Sequence, residues 1–166
     1  MIKLYLKVIT LLKELLAKLQ AQAQLKPSKF IIVHHTGGSG ADPMADTSHH
    51  KVSTVNNWHK HIGFPISKLG YYVGYTYFID KTGLVTQCRM HSERGCHTIG
   101  YNDCIGICLA GNFDATLPSK AQTEALRELL LRIGKNSIIV PHRKFAPHKS
   151  CYGSKLSDTW AADLIK

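Results

Sequence analysis

The chain has 166 residues, of which 44% are hydrophobic, and this size suits one compact domain with a single core. Lysines interrupt the apolar N-terminal segment well short of the ~20 residues that span a bilayer, which argues against a membrane-spanning helix and also against a secretory signal. The formal net charge of +10 favours an anionic partner, and nucleic acid, an anionic membrane and an acidic cell-wall polymer all qualify.

Residues 1–26 have the pattern of a basic amphipathic helix. Apolar residues from Leu4 to Leu19 recur at helical spacing, beside a separate polar stripe rich in lysine. Pro27 ends this segment, and the remaining domain covers residues 27–166. Two roles remain open for the helix. It packs on the domain or on a second copy of itself, or it lies on a membrane surface, as basic amphipathic helices often do.

Five runs in the domain predict β-strands, because they are rich in branched and aromatic residues and are bounded by Gly, Asn, Asp or Pro. The predicted strands are Phe30–His35, Tyr72–Ile79, Leu84–Cys88, Ile105–Gly111 and Ser137–Pro141.

Two helices are predicted between these strands. The first is Ser53–His61, with Ser53 as its N-cap. The second begins after Pro118, where Ser119 and Gln122 have the spacing of a capping box. The buried stripe of the second helix is expected to contain Leu126, Leu129, Leu130 and Ile133. Strands interleaved with helices indicate an α/β fold, in which the helices pack on a sheet.

A histidine pair and a later His…Cys pair are the candidate metal ligands. His34 and His35 are neighbours on a predicted strand, so their side chains point to opposite faces and at most one of them faces a given site. His142 follows the last predicted strand, and Cys151 comes nine positions later across a loop. Each feature alone is also compatible with a structural histidine or a buried free cysteine.

Together these residues predict a zinc hydrolase. Two neutral imidazoles and one thiolate leave a tetrahedral zinc ion with one open position, whereas a purely structural site has a fourth protein ligand. The chain has five cysteines, an odd number that suits reduced thiols with one metal ligand better than a disulfide framework. It has no His-Glu-x-x-His motif, so the carboxylate base of that protease class is absent from the sequence.

Further motifs lie in order between the two ligand regions. They are Val73-Gly74-Tyr75-Thr76-Tyr77-Phe78-Ile79, Gly95-Cys96-His97-Thr98-Ile99-Gly100-Tyr101-Asn102 and Ile105-Gly106-Ile107-Cys108-Leu109-Ala110-Gly111-Asn112-Phe113. With the His-His-Thr strand and the His…Cys loop, this series resembles the zinc-dependent N-acetylmuramoyl-L-alanine amidases of the type 2 family. That family includes phage endolysins and animal peptidoglycan-recognition proteins. The resemblance covers about residues 28–165 and implies a single mixed central β-sheet flanked by helices, with residues 27–166 as the catalytic domain.

The resemblance implies a role for each matching position. His34, His142 and Cys151 match the zinc ligands, with His35 as the outward neighbour of the first. Tyr75 matches the tyrosine beside the metal, and Lys149 matches a catalytic lysine of phage and bacterial members. The expected substrate contacts, which touch the muramyl-peptide, are His35, His97 and Asn102.

The resemblance also implies a biological setting, with alternatives. The expected activity is cleavage of the amide bond between N-acetylmuramic acid and L-alanine of the stem peptide in peptidoglycan. A small basic chain without a signal resembles an endolysin that stays in the host cytoplasm until it is released to the cell wall. Residues 1–25 are then expected to help it reach an anionic membrane. A non-catalytic peptidoglycan-binding protein is the alternative. A nucleic-acid-binding protein explains the charge but not the ordered motifs, so no nucleic-acid partner is expected.

Overall fold

The computed structural model describes residues 7, 9–13, 28–39 and 41–166. Within the predicted N-terminal helix, residues 7 and 9–13 are helical, and the remainder of residues 1–26 lies outside the described part of the chain. The length of that helix and its boundary with the domain therefore stay predictions. In the described ranges, no helix is long and apolar enough to cross a membrane.

In residues 28–39 and 41–166 the domain has five strands, three α-helices and one short 3-10 helix, His142–Lys144. In chain order the strands and α-helices are β1 (Phe30–His35), α1 (Val52–His61), β2 (Tyr77–Ile79), β3 (Val85–Gln87), β4 (Ile105–Leu109), α2 (Lys120–Ile133), β5 (Ile138–Pro141) and α3 (Trp160–Asp163). The strands form one sheet in the order β3-β2-β4-β1-β5. The pairs β2–β4, β4–β1 and β1–β5 are parallel, and the edge strand β3 is antiparallel to β2. The single mixed sheet flanked by helices is therefore confirmed.

One strand is much shorter than the sequence predicts, whereas β3, β4 and β5 are shorter by only one or two residues. The predicted strand Tyr72–Ile79 is reduced to Tyr77–Ile79. The backbone N–H of Tyr72 donates to the Asn56 side chain, and that of Gly74 donates to Nδ1 of His59. The N–H groups of Tyr72 and Gly74 are thus bound by side chains of α1 instead of by a neighbouring strand, and the periodic pattern of the sequence does not reveal such partners.

The N-cap of the first helix also differs from the prediction. The helix begins after Lys51, whose backbone is extended and whose side chain makes no cap bond, so Ser53 lies inside the helix. The Lys51 ammonium pairs instead with the Asp80 carboxylate at 2.7 Å. The second helix follows the prediction, because Ser119 and Gln122 form a complete capping box.

The two faces of the sheet pack against different helices. On the face that we call the α2 face, Ile31, Val33 and Ile107 pack with α2 in the larger apolar cluster. The α2 residues in that cluster are Leu126, Leu129 and Leu130, with Ile133 packed at its edge. On the opposite face, the α1 face, Phe78 and Cys108 pack with Val55 of α1 in a smaller cluster.

Candidate metal centre and its cavity

The topology brings the predicted ligands to one edge of the sheet. His34 lies at the carboxyl end of β1, and His142 directly follows the carboxyl end of β5, which runs parallel beside β1. The carboxyl ends of parallel strands form a common edge, where sites in α/β proteins are usually built. Cys151 reaches the same point through the loop after β5, and the backbone N–H of His35 lies 3.5 Å from its Sγ.

His34, His142 and Cys151 form one compact group. The three side chains offer ligand atoms that all lie within 4.8 Å of one another, and all three residues are buried. The Sγ atom of Cys151 lies 3.7 Å from Nδ1 of His34. A tetrahedral zinc ion with Zn–S of about 2.3 Å and Zn–N of about 2.0–2.1 Å separates such S and N atoms by about 3.6 Å. The donor set and its spacing therefore fit zinc.

The electrostatics of the group suit a cation. Burial, followed by repulsion from Lys149, lowers the pKa of His142 to about 4, and burial lowers that of His34 well below its ordinary value. Both imidazoles are therefore neutral near pH 7, as metal ligands must be. Burial raises the pKa of the Cys151 thiol to about 12, so the protein alone does not stabilise the thiolate. A divalent cation held by these three residues would supply the missing positive charge.

His97 fixes which nitrogen of His34 faces Cys151. Nε2 of His97 lies 3.0 Å from the Cys104 carbonyl oxygen, which only accepts, so Nε2 carries the proton. Nδ1 of His97 is then an acceptor, and Nε2–H of His34 donates to it at 3.1 Å. Nδ1 of His34 is left with a free lone pair on the side of Cys151. This chain of bonds is the usual support of a metal-bound histidine.

A glycine makes room for this histidine. An ideal Cβ at Gly106 of β4 would lie 2.8 Å from two ring atoms of His97, closer than real Cβ contacts. The absence of a side chain at position 106 therefore lets the imidazole lie directly on the sheet beside His34. The motif around Gly106 was part of the sequence resemblance, but this steric reason was not visible in the sequence.

His35 lies on the α2 face, away from the group. Its Nδ1 accepts a hydrogen bond of 2.9 Å from the backbone N–H of Phe113, and its ring packs on the Phe113 ring. His35 is 7% exposed, so the expectation of an outward-facing side chain is wrong. The physical reason is that the α2 face is covered here by Phe113. A substrate contact for His35 stays a prediction, and this geometry does not favour it.

Tyr75 lies beside the first ligand. Its ring centroid is 5.0 Å from that of His34 and 5.6 Å from that of His59. Burial, reinforced by the Cys108 and Cys151 sulfur atoms, raises the pKa of the Tyr75 hydroxyl well above its ordinary value. Tyr75 is therefore an O–H donor near neutral pH and does not act as a base.

A cavity of about 380 Å³ reaches the candidate ligands at His142. His97, Asn102, His142, His148 and Lys149 contribute to its lining. None of the described residues that line it is Asp or Glu, so a carboxylate base is not available there. Oδ1 of Asn102 accepts from the backbone N–H groups of His97 and Thr98 at 2.7 and 2.8 Å, and Asn102 thus shapes the cavity wall.

A family profile described as N-acetylmuramoyl-L-alanine amidase (Amidase_2) matches residues 9–160. The chain belongs to this family. It is 31% identical over 153 residues to the endolysin of Enterobacteria phage T3, across 84% of this chain and 92% of that endolysin. It is also 31% identical over 127 residues to peptidoglycan-recognition protein SD of Drosophila melanogaster. That second match covers 75% of this chain and 64% of the recognition protein, slightly less than two thirds of its length.

Solved structures of the amidase fold agree with this assignment. The Ph2119 endolysin from the Thermus scotoductus bacteriophage superposes with a TM-score of 0.65 at 20% identity, over 85% of this chain and 87% of that chain. Drosophila peptidoglycan-recognition protein SD superposes with a TM-score of 0.60 at 24% identity, over 84% and 81% of the two chains. At such identities the likeness concerns the fold.

Several residues of this amidase-family site have no individual signal in the sequence. Phe64, Phe145 and Ala146 line the cavity, and each resembles an ordinary loop residue in the sequence. His59, predicted only as part of the first helix, is 3% exposed. Its Nδ1 accepts a hydrogen bond from the backbone N–H of Gly74, the residue before Tyr75. A larger cavity of about 590 Å³ is lined by Tyr75 together with residues of α1.

Proposed function

We propose that this chain is a zinc-dependent N-acetylmuramoyl-L-alanine amidase that hydrolyses the bond between N-acetylmuramic acid and the L-alanine of the stem peptide. The observation that carries the proposal is the convergence of His34, His142 and Cys151 within 4.8 Å, next to an open cavity, in a chain of the amidase family. Zinc, when bound, supplies a Lewis acid that polarises the amide carbonyl and makes water nucleophilic near pH 7.

The side chains around the cavity have distinct tasks in this proposal. Lys149, an exposed residue of the cavity wall, carries the positive charge that the developing oxyanion requires. Tyr75 is not among the described residues that line this cavity, but its ring packs beside that of His34, and its neutral O–H is the second donor of this proposal. Donors of this kind typically contribute about 2.7–4 kcal/mol each to transition-state stabilisation. His97 holds His34 in the correct tautomer and lines the cavity where the muramyl-peptide is expected to lie.

The test combines metal analysis with a product assay. The full chain is purified, its zinc content per chain is measured, and it is incubated with purified sacculi. The expected results are one zinc ion per chain and new N-terminal alanine among the products. A Cys151→Ser variant is the matched control, since it keeps the size of the side chain but lacks a strong zinc ligand.

The recognition-protein likeness supplies the second candidate, a peptidoglycan-binding protein without catalysis, on the strength of the match to peptidoglycan-recognition protein SD. Sedimentation of the chain with sacculi without release of N-terminal alanine would support that candidate and refute the amidase. Release that is unaffected by chelators would refute the zinc mechanism alone.

The proposed setting is lysis of a bacterial host at the end of a phage cycle, which the match to the T3 endolysin supports. Residues 1–25 are proposed to contact an anionic membrane. Deletion of residues 1–25 is expected to reduce lysis of intact cells from outside while activity on isolated wall is kept. Equal activity of the full and shortened chains in both assays would contradict the membrane role.

A further inference from the structure

Arg143 connects the chain segment of His142 to the loop that carries Cys151. It directly follows the ligand His142, and its backbone N–H donates to the Cys151 carbonyl oxygen at 2.7 Å. Its guanidinium reaches across the loop that carries Cys151. Nη1 donates to the carbonyl oxygens of Ser150 and Gly153 at 3.0 and 2.7 Å, and Nη2 donates to the carbonyl oxygen of Leu156 at 2.7 Å.

The remaining contacts complete the arrangement. Nε of Arg143 donates to the Asp158 carboxylate at 2.6 Å, and the guanidinium carbon lies 5.4 Å from the centre of the buried Tyr152 ring. Four of the five N–H donors of the guanidinium are therefore used, and three of these four bonds end on backbone carbonyls of the loop. A planar fork of this kind fixes orientation, which a lysine ammonium on a flexible stem does not.

We propose that Arg143 is a positioning residue that presets the Cys151 thiol against His142 for metal binding. This inference rests on the proposed zinc function. Within the loop, the carbonyls of Ser150 and Gly153 accept turn hydrogen bonds from the backbone N–H groups of Gly153 and Leu156 at 2.7 and 3.3 Å. Arg143 adds the bonds that tie these turns to the segment of His142. Arg143 is not among the described residues that line the cavity beside the ligands, and its hydrogen bonds end on the loop that carries Cys151.

The loop has a second anchor, which keeps the proposal testable. Asp114 accepts from the Ser150 hydroxyl at 2.5 Å and from the Ser154 backbone N–H at 2.7 Å. Because this anchor remains when Arg143 is replaced, the loop is expected to loosen while the domain stays folded.

The experiment measures zinc affinity by chelator competition, and amide hydrogen exchange of residues 150–157, in the full chain. Arg143→Ala is expected to weaken zinc binding by about 10–100-fold, the range typical of outer-shell partners, and to speed exchange in the loop. Its kcat is expected to fall with little change in KM, since the cavity wall is intact. Arg143→Lys is expected to have a zinc affinity between those of wild type and Arg143→Ala, because it keeps the positive charge but not the planar guanidinium.

Two variants serve as controls. Asp158→Asn removes only the ion pair to a carboxylate that is 74% exposed and is expected to bind zinc like wild type. Arg127→Ala removes an equal charge from the exposed surface of α2 and is also expected to be neutral. Wild-type zinc affinity and loop exchange in folded Arg143→Ala would overturn the proposal. If that variant does not fold, the same result for Arg143→Lys overturns it.

Failure of the zinc amidase proposal can be distinguished from failure of the Arg143 proposal. If the wild-type chain binds no zinc, the zinc amidase proposal fails, and the exchange data on the metal-free chain decide the role of Arg143. Faster exchange confined to residues 150–157 in Arg143→Ala would then support the positioning role. Unchanged exchange would refute it.

Discussion

The two faces of the sheet differ in what they bury. On the α2 face, Ile31, Val33 and Ile107 pack with leucines of α2 in a continuous apolar layer. At its carboxyl edge, the α1 face holds the buried His34 and the half-buried His97, and its apolar cluster is small. A single strand, β1, serves both faces because its side chains alternate. The difference indicates that stability resides mainly on one face and chemistry on the other.

The largest effect is expected from loss of a ligand on the α1 side. His142→Ala removes one of three donors, so zinc affinity is expected to fall by more than the ~10–100-fold that is typical of outer-shell changes, and amide hydrolysis is expected to fall to background. Zinc titration and the sacculus assay measure both. His61→Ala, at the exposed end of α1, is the control. A fully active His142→Ala enzyme would remove His142 from the ligand set.

A cavity in the α2 face should act on stability alone. Leu126 is fully buried, and Leu126→Ala is expected to lower the free energy of unfolding by about 2–5 kcal/mol while the folded protein still binds zinc. Urea denaturation measures the loss of stability, and metal analysis measures whether zinc binding is kept. Leu131→Ala, on the same helix but 51% exposed, is the matched control. Loss of zinc from folded Leu126→Ala would show that the faces are not separable.

Lys149 and His148 are neighbours in the cavity wall, but their replacement is expected to have different effects. Lys149→Ala is expected to lower kcat by about 10²–10³-fold, equal to about 2.7–4 kcal/mol, because an oxyanion donor is lost. His148→Ala, which also changes the cavity lining, is expected to have little effect. Zinc content should be unchanged in both variants. The opposite ranking of the two variants would assign the donor role to His148.

A smaller effect is expected at Asp80, which directly follows β2 and pairs with Lys51 before α1. Burial by itself raises the pKa of Asp80, but hydrogen bonds from Lys51 and Thr82 lower this pKa to about 2. The folded-state pKa is thus below the unfolded value of about 3.9, so this carboxylate stabilises the fold above pH ~4 and loses its contribution as the pH falls towards 2. Asp80→Asn is expected to melt below wild type at pH 6, with the gap closing at pH 2–3. A gap that does not depend on pH would exclude this linkage.

Much of the fold was predictable because local rules and tertiary packing agree. The alternation and composition of β1 and the capping box at Ser119 hold in the structure with the bounds that the sequence indicates. The leucine stripe of α2 is buried for the same reason, since its period matches one helix face. The family resemblance is likewise confirmed.

The unpredicted features depend on contacts between distant residues. Side chains of α1 hold the chain at residues 72–75, which shortens β2, and Lys51 pairs with Asp80 across 29 positions. His35 points into the core because Phe113, 78 positions later, covers it. For the ligand group, the sequence supplied the residue types and their order, and the resemblance selected His34. The supporting roles of His97 and Arg143 depend on backbone carbonyls, and a sequence does not display where these point.

The bare backbone at Gly106 has a consequence for mutational scanning. Any side chain there must displace the His97 ring, and with it the partner of His34. In a saturation library selected for wall hydrolysis, position 106 should tolerate almost no substitution, and alanine variants should remain folded but bind zinc weakly. A position that offers no functional group would then be as intolerant as a catalytic one, for reasons of space alone.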